Sequence, residues 1–463
     1  MSASALLHAA PERHRAFAGK RALVMGLGSF GGGAGAVRYL AALGARVRVT
    51  DKRPAAGLER TLAGLAHLPI ELALGGHRRE DFERAELVVV NPAVRPDDPL
   101  LAAARAAGAQ VTSEIELFLE AVRARVVAIT GTQGKSSTTH LTHALLAGCG
   151  RRAHLGGNIG ASLLPALAEI APEDFVVLEL SSYQLEALGS CAFAARAEAV
   201  AVVNVLQDHL ERHGTIEAYA AAKRRILELL RPGGHALLPL DDERFASWSV
   251  RGTKLGFSAR DTGRGLFLRG DEFRLDGEVL GRISELALPG AFQRLNALVA
   301  LGLARVLGAE PDALSRALPS IRGLEHRLQD LGLVRGRRVI DNAVSTTPDS
   351  TVSALLALPA GTVLVLGGRQ KRLPLAELCD VARTRVAHAV AFGEAGPPFA
   401  EALRAAGVPV EVAATVEEAM TLAVQRGEAG AHVLFSPAAS SFDAYANFEE
   451  RAAAFRAALQ ALR

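Results

Sequence analysis

The sequence predicts an α/β protein with three domains. Its length of 463 residues corresponds to about three domains of ordinary size. Apolar runs typical of buried strands alternate with Ala- and Leu-rich helical stretches, the pattern of parallel sheets covered by helices on both faces. Two glycine-rich turns each follow an apolar run and precede a helical stretch. We expect the domains to cover residues 1–121, 122–322 and 323–463.

The first domain begins with a strand–turn–helix–strand unit. Its predicted elements are strand 21–25, a helix through about residue 43, strands 46–50 and 87–90, and a helix at 98–107. Gly26, Gly28 and Gly31 form a GxGxxG pattern, and Asp51 follows the second strand. This Rossmann-like arrangement places a diphosphate at the helix N-terminus and an acidic side chain on a ribose hydroxyl. The glycines alone leave three interpretations: a NAD-linked enzyme, another nucleotide diphosphate, or a turn without a ligand.

The second domain contains the stronger phosphate motif, GTQGKSS at 131–137. Gly131 and Gly134 let backbone N–H groups approach phosphate oxygens, Lys135 can neutralise β/γ-phosphate charge, and the Ser136 hydroxyl can bind Mg²⁺. Ile129 stands where the eight-residue P-loop pattern has its first glycine. We expect this turn to bind a nucleotide; an incidental glycine-rich turn is the alternative.

The motif follows the first of several predicted elements in this domain. They are strands 125–129, 175–180 and 199–205, helices 216–230 and 291–307, and a small β meander at 264–288.

Polar side chains follow the neighbouring strands of the second domain. Glu179 lies at the end of the run FVVLEL, at the carboxyl edge where α/β sites form. His209 follows the next strand, beside Asp208. Because Mg²⁺ prefers oxygen ligands, Glu179 is the expected ligand, and His209 remains open between ligand, base and structural residue. Spacing alone indicates that Lys223, on the following helix, is a solvated charge.

The third domain repeats the alternation of strands and helices. Its predicted strands lie in RRVIDNA (337–343), TVLVLGG (362–368), AHAVAFG (387–393) and HVLFSPA (432–438). The pattern predicts a second parallel sheet with helices on both faces.

Composition excludes several classes of protein. The formal charge is +3 and no long basic run occurs, which argues against a nucleic-acid partner. The three cysteines form no CxxC pair, so neither a disulfide framework nor a zinc site is expected. The first 20 residues are not typical of a signal peptide, and no run approaches the roughly 18 apolar residues of a membrane span. We expect a soluble, cytoplasmic protein.

The motifs of the chain, in their order, resemble those of the Mur ligases. They are GTQGKSS, GGNIG (156–160), LELSSYQLE (178–186), NVLQDHLERHG (204–214), AAKRR (221–225), GLEHRLQ (323–329), LGGRQK (366–371) and SPAASSFDAYANFEER (436–451). The likeness extends from Gly26 to Arg451 and is greatest to the glutamate-adding members of that family. It implies a Rossmann-like N-terminal domain that binds UDP, a central P-loop-type ATPase domain, and a Rossmann-like C-terminal domain that binds glutamate.

The resemblance also implies a reaction. ATP would phosphorylate the L-alanyl carboxylate of UDP-N-acetylmuramoyl-L-alanine, and the amino group of D-glutamate would attack the acyl phosphate and release phosphate. The implied cofactors are ATP and Mg²⁺, and the protein would act as a monomer in peptidoglycan precursor synthesis. Alternatives within the class are an L-glutamate-adding variant and a folylpolyglutamate synthase-like ligase. Alternatives from other classes are a NAD-linked dehydrogenase and a non-catalytic sensor of wall precursors.

Roles for individual residues follow from the resemblance by matching motif positions. The implied ATP-binding residues are Gly131, Thr132, Gln133, Gly134, Lys135, Ser136, Ser137, Asn296 and Arg327. The implied UDP-substrate-binding residues are Gly28, Ser29, Phe30, Asp51, Asn91 and Asn158. The implied glutamate-binding residues are His326, Lys371, Ser440 and Phe442. The implied catalytic residues are Lys135, Glu179, His209 and Lys223, and the implied metal ligands are Ser136, Glu179, His209 and Lys223 as its carbamate.

Overall fold

A computed structural model describes residues 3–28, 31–189, 196–288, 290–370 and 373–463. These residues form two compact units. The first comprises Met1–Ile283 with Asn296–Pro319, and the second comprises Ser284–Leu295 with Ser320–Arg463. Two sheets belong to the first unit and one to the second. The predicted α/β architecture with three sheet-based domains is confirmed, and the exact domain limits stay a prediction.

The first sheet has five parallel strands in the order β3-β2-β1-β4-β5. The strands are β1 (Arg21–Met25), β2 (Arg46–Asp51), β3 (Ile70–Leu74), β4 (Leu87–Val90) and β5 (Gln110–Ser113). The helices are α1 (Ala3–Ala9), α2 (Glu12–Arg15), α3 (Gly32–Ala42), α4 (Glu59–Ala63), α5 (Arg79–Arg84), α6 (Pro99–Ala106) and α7 (Glu114–Ala121). The order changes direction at β1, so the first glycine turn lies at the switch point where α/β proteins bind ligands.

The second sheet has nine strands in the order β14-β13-β12-β11-β10-β9-β6-β8-β7. They are β6 (Arg125–Thr130), β7 (Ala153–Gly157), β8 (Phe175–Glu179), β9 (Ala197–Val202), β10 (Leu230–Pro239), β11 (Thr253–Ser258), β12 (Leu266–Arg269), β13 (Glu272–Leu275) and β14 (Glu278–Arg282). Strands β6 to β12 run parallel, and β12, β13 and β14 form the predicted antiparallel meander. The strand predicted at 199–205 begins two residues earlier and ends at Val202.

The helices that follow β6 are α8 (Lys135–Gly148), α9 (Ser182–Ala187), α10 (Leu210–His213), α11 (Ile216–Arg224), α12 (Ala291–Val306) and α13 (Pro311–Ala317). The predicted helix 216–230 is wrong beyond Arg224, because a 3₁₀ turn covers Arg225–Leu229 and β10 begins at Leu230. Ile226, Leu227 and Leu229 are buried in that 3₁₀ turn, and an apolar run of this kind fits it as well as an α-helix.

The third sheet has six strands in the order β15-β16-β20-β17-β18-β19. They are β15 (Gln329–Val334), β16 (Arg337–Asp341), β17 (Thr362–Gly367), β18 (Val386–Phe392), β19 (Val410–Ala413) and β20 (His432–Ala438). The helices are α14 (Pro348–Leu356), α15 (Ala376–Arg385), α16 (Gly396–Ala405), α17 (Val416–Arg426) and α18 (Phe448–Leu462). The four predicted strands are confirmed as parallel neighbours, and β15 adds an antiparallel edge.

Strand burial follows from these topologies. Every residue of β8 and of β17 is buried, because helices cover both faces of a parallel sheet. Along β17, Leu364 and Leu366 join one apolar cluster while Val363 and Val365 join the cluster on the opposite face. Within the described ranges, no helix is both long and apolar enough to cross a membrane.

Candidate functional site

A cavity of about 460 Å³ in the first unit connects the two glycine-rich turns. It lies where the carboxyl ends of strands from the first and second sheets meet. Among the residues that line it are Gly28, Asn91, Lys135, Asn158, His209 and Lys223. The tertiary structure therefore brings together candidate residues that lie almost 200 positions apart in sequence.

The first glycine turn packs closely on the end of β4. Gly28 has φ +70°, and a Cβ added there would lie 2.6 Å from Asn91 Nδ2. A Cβ on Gly26, at φ +84°, would lie 3.1 Å from the Cβ of Asn91. Only glycine accommodates both the left-handed backbone and this approach. Ser29 and Phe30, which the resemblance assigns to UDP binding, lie outside the described residues.

Asp51 is buried beside this turn and already has protein partners. Its Oδ2 accepts from the backbone N–H of Leu27 at 3.0 Å, and its Oδ1 accepts from the N–H of Arg53 at 2.9 Å. Burial alone would raise the pKa of Asp51, but hydrogen bonds from Arg53 and Leu27 outweigh it and lower the pKa. Asp51 thus fixes the turn from beneath, and its edge faces a second cleft that also contains Lys52 and Arg53.

The second glycine turn is held by Asn204, which follows β9. Asn204 Oδ1 accepts from the backbone N–H groups of Thr132 at 3.0 Å and Gln133 at 2.9 Å. Asn204 Nδ2 donates to Gln133 O at 3.2 Å, and Lys135 Nζ donates to Thr132 O at 2.8 Å. The turn is therefore fixed before α8 begins, with the lysine folded over it.

Gly134 packs against α12. It has φ +78° and caps the N-terminus of α8 in a left-handed conformation. A Cβ on Gly134 would overlap Asn296 Oδ1 and lie 3.2 Å from Val203 Cγ1. Asn296 Oδ1 also accepts from Thr138 Oγ1 at 3.4 Å. The structure thus places Asn296 directly against the turn, and Ser136 and Ser137 lie in the first turn of α8.

Glu179 and Asn158 meet at the end of β8. Asn158 Nδ2 donates to Glu179 Oε1 at 2.9 Å, and its backbone N–H donates to Glu179 O at 2.8 Å. A Cβ on Gly157, at φ +92°, would overlap Glu179 O, so the GGNIG loop crosses the strand end closely. Glu179 is 2% exposed, and its Oε2 is buried without a hydrogen-bond partner. An unpaired carboxylate oxygen at this depth is costly unless a cation or a donor meets it.

His209 occupies a sharp turn between β9 and α10. Its backbone is left-handed, with φ +52°, and it caps α10. Its N–H donates to Asp208 Oδ1 at 2.8 Å, and its ring Nδ1 lies 3.3 Å from the hydroxyl of Tyr183. The rings of Tyr183 and His209 are 5.2 Å apart. The aromatic contact and the phenol hold the imidazole at the cavity wall, where its side chain is 43% exposed.

Lys223 is buried, and the expectation from spacing that it is a solvated charge is wrong. It is 1% exposed, because α11 packs its face against the second glycine turn. Its Nζ donates to Gly131 O at 2.6 Å and lies 4.4 Å from the ring centroid of Tyr219. Burial, and then the charge of Lys135, lower the pKa of Lys223 to about 6, although Asp208 and Glu179 oppose the shift. The lowered pKa favours the uncharged amine of this lysine at neutral pH.

The second unit contains a network around His326. His326 has φ +62°, and its Nδ1 lies 2.8 Å from Asp341 Oδ2. Arg456 Nε donates to the same oxygen at 3.2 Å, and Arg456 Nη2 donates to Gln329 Oε1 at 2.7 Å. Asp341 is fully buried; the Arg456 guanidinium compensates its charge, and the His326 ring contacts the same oxygen. Arg327 follows His326 directly at the start of this unit's sheet.

The glutamate-site candidates Ser440 and Phe442 follow the carboxyl end of β20, and Ser440 pairs with Arg369 of the segment after β17. The backbone N–H of Arg369 donates to Ser440 O at 2.7 Å, and Ser440 Oγ donates to Arg369 O at 3.4 Å. Phe442 is 61% exposed. The fully buried Arg451 of α18 donates to Ala439 O at 2.9 Å and so supports this loop from the helix. Lys371 lies outside the described residues.

Sequence reasoning missed Asn204 and Tyr183. Both lie inside motifs that were noticed, NVLQDHLERHG and LELSSYQLE, but their roles depend on contacts with distant segments. Asn204 reaches the turn 71 residues away, and Tyr183 reaches His209 26 residues away. The sequence offered one indication for Asn204: it directly follows a strand predicted to neighbour the strand before the second glycine turn.

The donor set fits a divalent cation that is bound mainly by oxygen and phosphate. Among the described residues, no group of three or more His, Cys, Asp or Glu side chains is placed to hold a metal ion. Glu179 nevertheless offers a buried, unpaired oxygen beside the second glycine turn. Mg²⁺ is commonly held by one or two carboxylates plus substrate phosphates and waters, so the residues present fit Mg²⁺ and not a metal that needs a complete protein cage.

Family models match all three parts of the chain. "Mur ligase MurD-like, N-terminal domain" matches residues 20–113, "Mur ligase middle domain" matches 129–304, and "Mur ligase, glutamate ligase domain" matches 326–439. Curated relatives named UDP-N-acetylmuramoylalanine–D-glutamate ligase include one from Roseiflexus sp. (strain RS-1), 36% identical over 95% of this chain and 98% of the relative. Another, from Geobacter metallireducens, is 37% identical over 96% of this chain and 98% of the relative.

Solved structures share the fold at low sequence identity. UDP-N-acetylmuramate–alanine ligase from Thermotoga maritima superposes with a TM-score of 0.63 at 17% identity, covering 96% of this chain and 100% of that one. MurF ligase from Thermotoga maritima, solved in complex with ADP, gives a TM-score of 0.58 at 18% identity over 97% of each chain. The three-domain α/β architecture is therefore that of these ligases.

Proposed function

Since this chain belongs to the Mur ligase family, we propose that it is the ATP-dependent ligase that joins D-glutamate to UDP-N-acetylmuramoyl-L-alanine. The supporting relatives carry that activity in their names and align over nearly their full length. The NAD-linked alternative loses its support, because the first glycine turn belongs to a domain that matches a Mur ligase model.

One observation supports the chemistry most directly: a single cavity joins the first glycine turn to Lys135. The nucleotide diphosphate of the acceptor would lie at Gly28 and the N-terminus of α3, with Asn91 beneath it. The γ-phosphate of ATP would lie at Lys135 and the start of α8. The L-alanyl carboxylate then extends along the cavity past Asn158 toward that phosphate, as transfer between the two requires.

The phosphate turn would bind ATP through its backbone and its lysine. Asn204 holds the N–H groups of Thr132 and Gln133 in place, so ordering the turn costs little free energy when ATP binds. Lys135 exchanges its bond to Thr132 O for the β/γ-phosphates, and Ser136, at the helix N-terminus, faces the same charge. Asn296, which lies against Gly134, would contact the adenine.

Glu179 and Ser136 would hold Mg²⁺, with His209 as a further ligand or as the residue that orients it. When bound, the ion supplies positive charge that neutralises the transferring phosphate. The buried Oε2 of Glu179 is the observation that supports this assignment. Asn158 keeps the carboxylate oriented by occupying its other oxygen.

Lys223 would act as its carbamate. The low pKa leaves a free amine at neutral pH, and that amine can attack CO₂, forming an N–C bond and releasing a proton. The product is an anion beside Lys135 and Gly131, where the phosphates and the cation would meet. Tyr219, which covers the lysine, limits access of bulk water to this position.

The second unit would bind glutamate. His326, Ser440 and Phe442 lie at or near the carboxyl edge of its sheet, and Lys371 would attract a glutamate carboxylate. The family resemblance assigns Arg327 to ATP binding. In this reaction the amino group of glutamate attacks the acyl carbon, a tetrahedral intermediate forms, and phosphate leaves. We propose that the ligase works as a monomer in the cytoplasm, because its nucleotide-linked substrate and ATP occur there.

Phosphate release by the purified protein tests the function. With ATP, Mg²⁺ and UDP-N-acetylmuramoyl-L-alanine present, D-glutamate and L-glutamate are added separately. Release that depends on D-glutamate supports the proposal. Dependence on L-glutamate keeps the reaction but changes the amino acid, and no release with either overturns the proposed activity.

Activity of a Lys223→Ala variant tests the carbamate. We expect ligation to fall about 10³-fold, by analogy with the loss of other charge-stabilising groups. Formate or acetate should restore part of it, because a small carboxylate can occupy the vacated space. Full activity of the variant without an added acid would contradict the carbamate role.

A further inference from the structure

Arg212 connects the two sides of the cavity. Its side chain is 6% exposed, although arginine is rarely buried unless it is paired. Nη1 donates to Ala93 O at 3.0 Å, and Nη2 donates to Val94 O at 3.2 Å, both in the turn after β4. Nε donates to Glu186 Oε2 at 2.9 Å, at the end of α9. One guanidinium therefore bonds a segment of the first sheet's domain and a segment of the second sheet's domain.

The two ends of this connection lie at the two binding sides. Ala93 donates its N–H to Asn91 Oδ1 at 3.0 Å, and Asn91 packs under Gly28 in the first glycine turn. On the other side, Arg212 N donates to His209 O at 3.1 Å within the short helix α10. The guanidinium carbon of Arg212 also lies 4.5 Å from the ring centroid of Tyr183, whose hydroxyl contacts His209.

We propose that Arg212 is a positioning residue that sets the distance between the acceptor-binding turn and the loop that carries His209. The inference rests on the proposed function, because that reaction needs the acceptor carboxylate and the transferred phosphate in line. A displacement of about 1 Å in such an arrangement lowers the rate of transfer by roughly 100-fold. Arg212 does not line the cavity. It therefore acts through Ala93, Val94 and Tyr183 rather than on the substrates.

Lysine cannot replace this arginine. The guanidinium makes its bonds in a fixed planar fork and stacks on an aromatic ring, whereas an ammonium group is a compact point charge. An Arg212→Lys variant keeps the charge beside Glu186 but cannot bond Ala93, Val94 and Glu186 while covering Tyr183. It should loosen the connection without removing a group that touches ATP or the acceptor.

Arg225 provides a matched control. It also belongs to the second sheet's domain and donates to backbone carbonyls, to Leu185 O at 2.8 Å and Glu186 O at 2.7 Å. Its guanidinium also donates to Leu188 O, directly after α9. In Arg225, the guanidinium and the carbonyls that it bonds lie in one domain. An Arg225→Lys variant thus measures how the loss of such bonds within a domain changes activity and stability.

Steady-state kinetics and thermal unfolding of the wild type, Arg212→Lys and Arg225→Lys decide the matter. We expect Arg212→Lys to lower kcat about 10- to 100-fold while KM for ATP and for UDP-N-acetylmuramoyl-L-alanine change less than about threefold. Arg225→Lys should lower Tm with kcat near that of the wild type. The inference is overturned if Arg212→Lys keeps kcat within about twofold, or if its kcat, KM and Tm change in parallel with those of Arg225→Lys.

Two different experimental outcomes distinguish an incorrect proposed function from an incorrect role of Arg212. A wild-type protein that releases no phosphate with D-glutamate or L-glutamate overturns both. An active wild type with an unaffected Arg212→Lys variant overturns the positioning role alone.

Discussion

At the scale of single residues, burial determines the chemistry of the site. Lys223 lies 1% exposed against the carbonyl of Gly131, and Glu179 keeps one oxygen without a partner at 2% exposure. Both arrangements cost folding free energy, since a buried charge or an unpaired polar atom loses hydration. Such costs are typical of groups that are held for catalysis or binding.

The buried Lys223 should make stability depend on pH. Its pKa is lowered from 10.5 to about 6 in the folded chain, so between these values the unfolded chain holds a proton that the folded chain has released. The free energy of unfolding therefore rises with pH across this window, by at most about 1.4 kcal/mol per pH unit from this group. The penalty is fully present below the folded pKa and disappears above the unfolded pKa.

A Lys223→Met variant should lack this slope. In CO₂-free buffer, we expect the variant to be more stable than the wild type at pH 7, by about 1–3 kcal/mol, and the advantage should shrink toward pH 9. Urea unfolding between these values measures it. The exposed Lys254 provides the control, because Lys254→Met removes a lysine from the surface and not from the cavity. Equal slopes for Lys223→Met and the wild type would contradict the lowered pKa.

At the scale of elements, the second glycine turn depends on a glycine with two constraints. Gly134 has a left-handed backbone and also lies against Asn296, whereas Gly150 has the left-handed backbone alone, with φ +73° and no atom within 4 Å of an added Cβ. Comparing the two positions separates the cost of the backbone from the cost of the contact.

Gly134→Ala and Gly150→Ala should therefore differ in nucleotide binding. Both should lose about 1 kcal/mol of stability from the left-handed alanine. Only Gly134→Ala must also displace Asn296, an overpacking cost of about 1–3 kcal/mol. Because ADP binding has to restore the native turn, this cost corresponds to a loss of about 5- to 150-fold in affinity for ADP. Calorimetric titration with ADP and thermal unfolding measure the two effects. Equal ADP affinity in both variants would show that the contact with Asn296 does not shape the turn.

Most elements near the site could be predicted from sequence, because each is specified by local patterns. Strands β1, β2, β4, β6 and β8 and helices α3 and α12 were predicted to within a few residues. The predicted helix 216–230 failed at its second half, because Ile226, Leu227, Leu229 and Leu230 fit a buried 3₁₀ turn and strand as well as a helix. The apolar run alone is compatible with an α-helix and with a 3₁₀ turn followed by a strand, and only its tertiary contacts decide between them.

At the scale of the whole molecule, the first unit depends on the contact between its two sheet-based domains. Gly35 of α3 lies against Ser162, whose Oγ donates to Glu114 Oε1. Glu114 belongs to α7 and lines the cavity, and burial raises its pKa to about 7. The contact therefore joins the helix of the first glycine turn to the loop that follows GGNIG.

Gly35→Ala should weaken this contact. Alanine favours the helix by about 1 kcal/mol over glycine, but its Cβ would lie 2.5 Å from the Cβ of Ser162. We expect overpacking to prevail, with a net loss of about 1–2 kcal/mol in the free energy of unfolding. Adding Ser162→Gly to this variant should recover most of the loss, whereas Ser162→Gly alone should destabilise the wild type. A Gly35→Ala variant that is more stable than the wild type would contradict the close packing of the two domains.

The sequence by itself determined the three α/β domains, the two glycine turns and the family, because strand periodicity, turn glycines and ordered motifs are local properties of the chain. Only the tertiary structure decided that Lys223 is buried, that Asn204 holds a turn 71 residues away, and that Arg212 joins two domains. These properties depend on which segments meet. Spacing along the chain shows that Lys223 lies on a helix. The residues that pack against it exclude water, and this burial shifts its pKa.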